Sequence, residues 1–314
     1  MSTSNKTRIV VIGIGEVGSR TAYTLLLRER ADELVLIDSD QNKAIGDALD
    51  MNHGLLFLGR SKIWAGTYED CTDADIIIIT AGTEQKPEES RMDLLRRNHE
   101  IMSGIMSELI KTNTKAIVLI TASPVDLMSY FAWEQSGLPA SRVIGTGTLL
   151  DTARFRYLIG EQMNIDAHSV HAQIIGEHGN SELPLWSEAN VAGSELDLSE
   201  DTKASIVART QEAANEVVQA KGSSCYAIAL SINRICAAIL KDEGSVLNVS
   251  TLLKDYHGIS DVYLGVPCIV DRQGIRSTIE VKLSDKEKVL LHQSADKLKG
   301  LIATTTYARS ERNG

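Results

Sequence analysis

The sequence predicts a doubly wound parallel α/β fold followed by an α+β domain. Short β-branched runs recur through the first half, amphipathic stretches separate them, and longer helical tracts with few strands follow Gly147. Apolar runs without alternation are typical of a parallel sheet covered on both faces. The repeated pattern covers roughly residues 7–146. We therefore expect domains over residues 1–146 and 147–314.

The elements of the first half follow from these runs. The predicted strands begin at Arg8, Glu33, Asp75, Lys115 and Arg142. Apolar residues at a spacing close to 3.6 predict a helix from Arg91 to Lys111. Pro124 is placed where a helix can begin without wasting an amide hydrogen.

The second half has a different pattern. Helices are predicted over 149–163, 201–220, 226–240 and 285–306, the last with Ser284 as its N-cap. Short apolar runs predict strands over 172–176, 261–265 and 267–270. This mixture indicates an α+β domain.

Composition limits the function classes. The 314 residues are 43% hydrophobic and 24% charged, an ordinary balance for a folded soluble protein. The formal net charge of -10 disfavours a nucleic-acid partner. No apolar run reaches the roughly 20 residues that span a bilayer, so we expect no membrane association.

The cysteines and the first residues predict a cytoplasmic protein. Four scattered cysteines form no CxxC pair, so neither a zinc site nor a redox pair is expected, and a reducing compartment fits best. The polar start of the sequence lacks the apolar core of a secretory signal.

Three glycines follow the first predicted strand. Gly13, Gly15 and Gly18 have GxGxxG spacing, which alone is weak and also fits an ordinary strand–helix turn. The position after a strand and before a helix favours binding of a pyrophosphate at a helix N-terminus. Asp38 ends the second strand, where a carboxylate can accept hydrogen bonds from ribose and repel a 2′-phosphate. NAD is therefore predicted over NADP.

Charged residues cluster in or beside predicted loops. Taken singly, each has an ordinary explanation: a solvated arginine, a helix cap or a structural histidine. Together, His178, Asp151 and Arg154 supply a proton carrier, its carboxylate partner and a guanidinium that can bind a substrate carboxylate. Arg91 suits a mobile-loop arginine that polarises a carbonyl. This set indicates redox chemistry on a small anion.

The chain resembles the L-lactate and L-malate dehydrogenase family, most closely the bacterial L-lactate dehydrogenases activated by fructose bisphosphate. The motifs GIGEVG, GTGTLLDTARFR and IGEHGNSELPLWS occur in the family's order along nearly the whole chain. The resemblance implies a Rossmann-type NAD domain and an enzyme of glycolysis and fermentation. It makes His178 the acid–base residue, Asp151 its partner, Arg154 the carboxylate anchor and Arg91 the carbonyl-polarising residue.

The resemblance also implies further contacts. Val17, Ile228 and Ser123 are expected at the cofactor, and Ser123 and Ser224 at the substrate. At the position of Gln85, an arginine binds the second carboxylate of oxaloacetate, whereas a glutamine accepts the methyl group of pyruvate. A dicarboxylate beside Gln85 would leave a buried anion unpaired. Pyruvate and L-lactate are therefore the expected substrates.

Three positions depart from the family pattern. Ser123 replaces an asparagine, which puts catalytic efficiency in doubt; Glu88 replaces a loop glycine; and Ser224 replaces a pocket threonine. The smaller Ser224 leaves open a broader 2-hydroxyisocaproate-type dehydrogenase. A catalytically silent NAD-binding relative is a further alternative, although retention of all four charged residues argues against it.

Two residues match an effector site of the family. Arg156 and His171 correspond to positions that bind fructose bisphosphate across a subunit interface. Two facing copies would repel until a polyanion bridges them. The resemblance thus implies a homotetramer and a fructose bisphosphate effector, and the alternative is an ordinary surface arginine and histidine.

Overall fold

The computed structural model describes residues 6–83, 88 and 90–312 of the chain. The strands are β1 (Arg8–Ile12), β2 (Glu33–Ile37), β3 (Lys62–Ala65), β4 (Ile76–Ile79), β5 (Ile117–Ile120), β6 (Val143–Gly145), β7 (Val170–His171), β8 (Ile174–Gly176), β9 (Glu182–Pro184), β10 (Asn190–Val191), β11 (Ser194–Glu195), β12 (Ser245–Leu252), β13 (Tyr263–Asp271) and β14 (Gly274–Thr278).

The helices agree closely with the periodicity of the sequence. They are α1 (Glu16–Leu27), α2 (Gln41–Gly54), α3 (Arg91–Lys111), α4 (Val125–Ser136), α5 (Leu149–Met163), α6 (Glu200–Lys221), α7 (Tyr226–Leu240) and α8 (Asp285–Arg312). Ser284 accepts a hydrogen bond from the amide of Glu287 through its hydroxyl, as expected of an N-cap.

The chain divides into two compact units. The first contains residues up to Gly145 together with Cys225–Ser245 and Val270–Arg276, and the second contains Thr146–Ser224, Val246–Ile269 and the residues from Ser277 onward. The sequence predicts two continuous domains, whereas here α7 packs with the first unit, against α1. That packing joins residues far apart in the chain, which periodicity does not reveal.

The first unit is built on a parallel sheet of order β3-β2-β1-β4-β5-β6. The four isoleucines of β4 are fully buried, as a sheet covered on both faces requires. The order changes direction between β1 and β4, and in such folds ligands bind outside the carboxyl ends of the strands at this point. This confirms the predicted doubly wound fold. Strand β3 was not predicted, because only three of its residues, Ile63, Trp64 and Ala65, form an apolar run.

The second unit combines strands with helices, which confirms the α+β domain predicted there. Strands β12, β13, β8 and β9 pair in that order, and three further strands form a sheet of order β11-β10-β7. The two strands predicted over 261–265 and 267–270 form one strand, β13. Pro267 lies within β13 and does not end the strand, because a proline is tolerated where its missing N–H is not needed for strand pairing.

The core of the second unit lies between α5, α6 and the strands. Phe155 and Trp186 contact edge to face, with ring centroids 4.8 Å apart. Buried aliphatic residues surround Phe155, among them Ile159, Ile174 and Ile206. This packing fixes α5, which carries the predicted site residues Asp151, Arg154 and Arg156. No helix in the described ranges is long and apolar enough to cross a bilayer.

Candidate active site

The glycine turn of the first unit lies between β1 and α1. Gly13 has φ +95°, and a Cβ there would lie 2.5 Å from the backbone nitrogen of Ala81. A Cβ on Gly18 would lie 1.8 Å from the carbonyl oxygen of Gly13. Both positions therefore exclude any larger residue, which is the tight turn and close helix–strand approach that the spacing predicts.

Gly15 differs from the other two glycines. Its φ of -82° suits any residue, and a Cβ there would meet no heavy atom of the described chain within 4 Å. The protein's own packing thus gives no reason for glycine at this position. No side chain in the described residues caps α1 at Gly15. A helix N-terminus without a side-chain cap, next to a glycine with room around it, fits a pyrophosphate.

Asp38 directly follows β2 and is bound to the same turn. Its Oδ2 accepts a hydrogen bond from the amide of Ile14 at 2.6 Å, and its Oδ1 accepts one from the amide of Asp40 at 2.9 Å. Val17 lies in the first turn of α1 and Ile228 in the first turn of α7; both are half-buried. Because α1 packs against α7, the structure brings the helices that carry these two residues together.

Asp151 and His178 meet in the second unit. Asp151 lies in the first turn of α5, where the helix dipole favours a carboxylate. His178 lies in the loop between β8 and β9, and its Nδ1 is 2.5 Å from Oδ2 of Asp151. Since a carboxylate can only accept, Nδ1 carries the hydrogen and donates it. The Asp151 side chain is 3% exposed, whereas the His178 side chain is 35% exposed.

Arg154 completes this cluster from the next turn of α5. Its Nη1 lies 3.0 Å from Oδ1 of Asp151, and its side chain is 16% exposed. Burial alone would raise the pKa of Asp151, but the positive charge and hydrogen bonds of His178 and Arg154 outweigh it and hold that pKa below its ordinary value. Asp151 therefore remains ionised at neutral pH and links the imidazole to the guanidinium.

The loop that carries His178 is closed at its base. Gly176 and Glu182 are partners in the β8–β9 ladder, and the amide of Glu182 donates to the carbonyl of Gly179 at 3.1 Å. On the other side of the loop, the amide of Glu177 donates to Oγ of Ser294 on α8 at 2.9 Å. The carboxylate of Glu177 also binds Lys297. Backbone bonds at both ends therefore fix the direction of the histidine.

Glu182 is a residue of this site that the motifs did not single out. Its side chain is buried, and Oε1 has no hydrogen-bond partner among the residues that the structure describes. Burial and the negative charge of Asp151 raise the pKa of Glu182 to about 8, against the opposing charges of His178 and Arg154. In the sequence, the feature that could have indicated a buried carboxyl is a glutamate at the start of the apolar run ELPLW.

The remaining expected substrate contacts are placed as follows. Ser123 follows β5 and is exposed, and Ser224 is half-buried just before α7. The backbone of Arg91 forms the first residue of α3, where the predicted helix begins next to the expected loop, because Ser90 and Asp93 make a capping box there. Gln85 lies outside the described residues, and Glu88 is exposed.

Asn98 on α3 is a second residue that the motifs missed. It is 2% exposed, and its Oδ1 accepts from the amide of Thr83 at 2.8 Å. Its Nδ2 donates to the carbonyl of Ser123, also at 2.8 Å. Asn98 thus joins the residue that precedes the Gln85 segment to the segment that contains Ser123. A polar residue inside a helix gives no sign of this role in the sequence.

The two predicted effector residues lie in neighbouring elements of the second unit. The Nη2 of Arg156 on α5 donates to the carbonyl of His168 at 3.2 Å, in the short turn that leads into β7. His171 ends β7 and is exposed. Within the described residues, no three His, Cys, Asp or Glu side chains gather as a metal site.

A strand–turn–helix open to a pyrophosphate, together with a buried aspartate that joins a histidine to an arginine, defines a dehydrogenase of two α/β units. Two family models match: the lactate/malate dehydrogenase NAD-binding domain over residues 7–145 and the lactate/malate dehydrogenase α/β C-terminal domain over residues 148–308. The chain belongs to the lactate/malate dehydrogenase family and is an NAD-dependent oxidoreductase. The resemblance seen in the motifs and the NAD prediction are thus confirmed.

Full-length relatives share this organisation. The chain is 43% identical to an L-lactate dehydrogenase of Bacillus caldolyticus, with 96% of this chain and 98% of the relative covered. It is 45% identical to one of Halalkalibacterium halodurans, with 96% and 99% covered. The solved ligand-bound structure of minor L-lactate dehydrogenase from Enterococcus mundtii superposes with a TM-score of 0.93 at 40% identity, with 96% of this chain and 99% of that chain covered.

Proposed function

We propose that this protein is an NAD-dependent L-lactate dehydrogenase that interconverts pyruvate and L-lactate. The observation that carries the proposal is the buried Asp151, which contacts both His178 and Arg154. One side chain is suited to carry a proton and the other to hold a carboxylate, so the pair fits a small 2-oxo acid. The relatives named L-lactate dehydrogenase support the choice of substrate.

His178 moves the proton in this proposal. With Nδ1 bound to Asp151, Nε2 is the ring nitrogen that exchanges a proton with the substrate oxygen. In pyruvate reduction the imidazolium donates this proton to the keto oxygen, and Asp151 stabilises the cation before transfer. In lactate oxidation the neutral imidazole removes the hydroxyl proton.

The cofactor is held by the first unit. When bound, NADH supplies the hydride at nicotinamide C4, and NAD accepts it in the reverse direction. The first amides of α1 beyond Gly15 are suited to bind the pyrophosphate. Asp38 would accept hydrogen bonds from the ribose hydroxyls and would disfavour a 2′-phosphate by charge repulsion. Val17 and Ile228 contribute apolar surface from adjoining helices.

Arg154 anchors the substrate carboxylate. A guanidinium has five N–H donors, and the contact of Arg154 with Asp151 is made through Nη1, so the geometry is compatible with a two-pronged contact with a carboxylate. Arg91 polarises the carbonyl bond from the start of α3. Ser123, shorter than the usual asparagine, contacts substrate and nicotinamide through its hydroxyl or through water.

Two residues set substrate selectivity in this proposal. Gln85 is neutral and accepts the methyl group of pyruvate, so a second carboxylate finds no counter-charge. Ser224 is half-buried and one methyl group smaller than the usual threonine. This smaller side chain favours a second candidate function, a dehydrogenase of broader 2-oxo acid range.

A coupled pair of assays tests these proposals. Loss of NADH absorbance with pyruvate is expected, and its absence would reject the enzyme assignment. 2-Oxobutyrate and 2-oxoisocaproate are then compared by kcat/KM, and equal or better turnover of the branched acid would favour the second candidate. His178→Gln should abolish activity. His168→Gln is the matched control, because His168 also binds an aspartate, Asp166, through Nδ1 at 2.8 Å but is exposed.

Regulation and assembly complete the proposal. Arg156 and His171, on adjacent elements, form half of a fructose bisphosphate site that a second subunit completes within a homotetramer. The guanidinium of Arg156 also donates hydrogen bonds to the carbonyls of the turn before β7. A ligand bound to this guanidinium would therefore change the position of the strand that ends in His171. The cytoplasm is the proposed location, in keeping with four buried cysteines that are scattered along the chain.

A further inference from the structure

Glu182 is a buried carboxyl at the base of the loop that carries His178. It is the first residue of β9, is 8% exposed, and is held in register opposite Gly176 of β8. A buried carboxylate normally collects hydrogen bonds from nearby donors. Oε1 of Glu182 has none among the described residues, although Oε1 itself is buried. An ionised carboxylate with a buried oxygen that lacks a hydrogen bond would be strongly destabilised, whereas the uncharged acid would not.

The charged groups around Glu182 leave at most one net positive charge. From α5 come the negative charge of Asp151 and the positive charge of Arg154, and from the loop comes His178. α8 packs on β8 and β9, and the charged side chain that it brings to this loop, Lys297, is bound to Glu177. When His178 is protonated, Asp151 balances only one of the two cations, and the remaining positive charge is available to an incoming substrate carboxylate. An ionised Glu182 would neutralise that charge.

We propose that Glu182 is a positioning residue that keeps this site able to accept an anionic 2-oxo acid by remaining an uncharged acid, and that its ionisation weakens substrate binding. The inference rests on the proposed function and names a further residue for it. An ionised Glu182 competes with the substrate carboxylate for the charge of Arg154. The raised pKa of Glu182, about 8, places the loss just above neutral pH.

Glu182→Gln tests the proposal, because glutamine is a neutral isostere of the protonated acid. We expect kcat/KM for pyruvate in the variant to match that of the unmodified protein at about pH 7. At about pH 9 the variant should exceed it by about 10-fold, because one unit above a pKa roughly nine-tenths of the acid is ionised. The gain should lie in KM rather than in kcat. A variant that is several-fold less active at about pH 7 would show that the ionised form is needed, and would overturn the proposal.

Two further measurements keep the outcome unambiguous. The thermal unfolding midpoint of Glu182→Gln relative to the unmodified protein should rise as pH increases from 4.5 to about 8, since a raised folded-state pKa makes ionisation destabilising there. A pH-independent difference would overturn the proposal. Glu287→Gln is the matched control: Glu287 is also buried in this unit, but its carboxylate is fully hydrogen-bonded. Its pH–rate profile should follow that of the unmodified protein.

Failure of this inference is distinguishable from failure of the proposed function. If the unmodified protein does not oxidise NADH with pyruvate, the lactate dehydrogenase assignment fails. If it does, and the ratio of variant to unmodified kcat/KM stays constant with pH, only the role of Glu182 fails.

Discussion

Nδ1 of His178 and Oδ2 of Asp151 are 2.5 Å apart, and burial of the carboxylate makes this contact strong. The imidazole stays partly exposed while its partner is enclosed by α5 and the β8–β9 loop. A proton can therefore reach the ring from the solvent side without disturbing the aspartate. The relationship makes Asp151 the determinant of both tautomer and charge at His178.

Asp151→Asn is expected to lower kcat by about 100-fold or more, the usual range for loss of effective acid–base catalysis. The asparagine keeps the shape of the side chain but can present its NH2 group to Nδ1, which favours the wrong tautomer. Steady-state rates of NADH oxidation measure the effect. Asp166→Asn, which alters the exposed pair with His168, should leave kcat unchanged. A nearly normal rate in Asp151→Asn would refute the assigned role.

Arg154→Lys is expected to raise the pyruvate KM by about 10- to 100-fold with a smaller effect on kcat. An ammonium keeps the charge but loses the planar fork, and a charge-assisted hydrogen bond contributes about 1.5–3 kcal/mol. Arg209→Lys is the control, because Arg209 forms an exposed ion pair with Glu161 in the same unit. If KM is unaltered in Arg154→Lys, the substrate carboxylate binds elsewhere.

The sequence predicts most of the central sheet but not its limits. Runs such as the four isoleucines of β4 are long and apolar enough to be recognised alone. β3 and β12 were missed, because the apolar run of β3 is only three residues long and Asn248 and Ser250 interrupt β12. The pairing of α7 with α1 depends on tertiary contacts, and no local pattern reports them.

The site was predictable where one residue type is demanded by geometry or chemistry. No larger residue fits at Gly13 or Gly18 in the turn. Few residue types other than histidine and aspartate could perform the chemistry expected of His178 and Asp151. Glu182 and Asn98 were missed because their roles depend on burial against segments distant in sequence. A charged or amide side chain in a regular element gives the same local signal whether it faces solvent or a site.

Gln85→Arg is expected to move selectivity from pyruvate toward oxaloacetate. The new guanidinium would pair with the second carboxylate and remove the penalty of a buried, unpaired anion. The ratio of kcat/KM for the two acids should change by about 100-fold or more, equivalent to about 3 kcal/mol. Gln85→Lys serves as a comparison, because lysine adds the positive charge without the planar guanidinium that binds a carboxylate through two hydrogen bonds. An unchanged ratio in both variants would contradict the assignment of Gln85 to the substrate pocket.

Fructose bisphosphate is expected to lower the pyruvate KM by at least about 5-fold, the lower end of ordinary coupling, and most clearly above neutral pH. The polyanion offsets repulsion between facing copies of Arg156 and His171. The double variant Arg156→Gln with His171→Gln should lose the response, whereas Arg209→Gln should keep it. Light scattering with and without the effector measures assembly in parallel. Unchanged saturation curves at millimolar effector would count against the site.

Glu287→Gln is expected to destabilise the protein at neutral pH by about 1–2 kcal/mol. Burial by itself would raise the pKa of Glu287, but hydrogen bonds from Ser284 and Ser187 lower it below its ordinary value of 4.5. A lowered folded-state pKa stabilises the fold above the unfolded value, and this contribution is lost as pH falls through the folded value. The amide NH2 of glutamine cannot accept from these donors, so the variant lacks the contribution at every pH.

The difference in stability between Glu287→Gln and the unmodified protein should therefore be largest near neutral pH and shrink below 4.5. Urea unfolding at several pH values measures it, and the trend runs opposite to the one expected for Glu182→Gln. The two pH trends are opposite because the hydrogen-bond partners of the two carboxyls differ. The Glu287 carboxylate accepts hydrogen bonds from Oγ of Ser284 and Oγ of Ser187 at 2.7 Å each, whereas Oε1 of Glu182 has no partner in the described chain. Equal pH trends for the two variants would mean that hydrogen bonding does not separate these buried carboxyls.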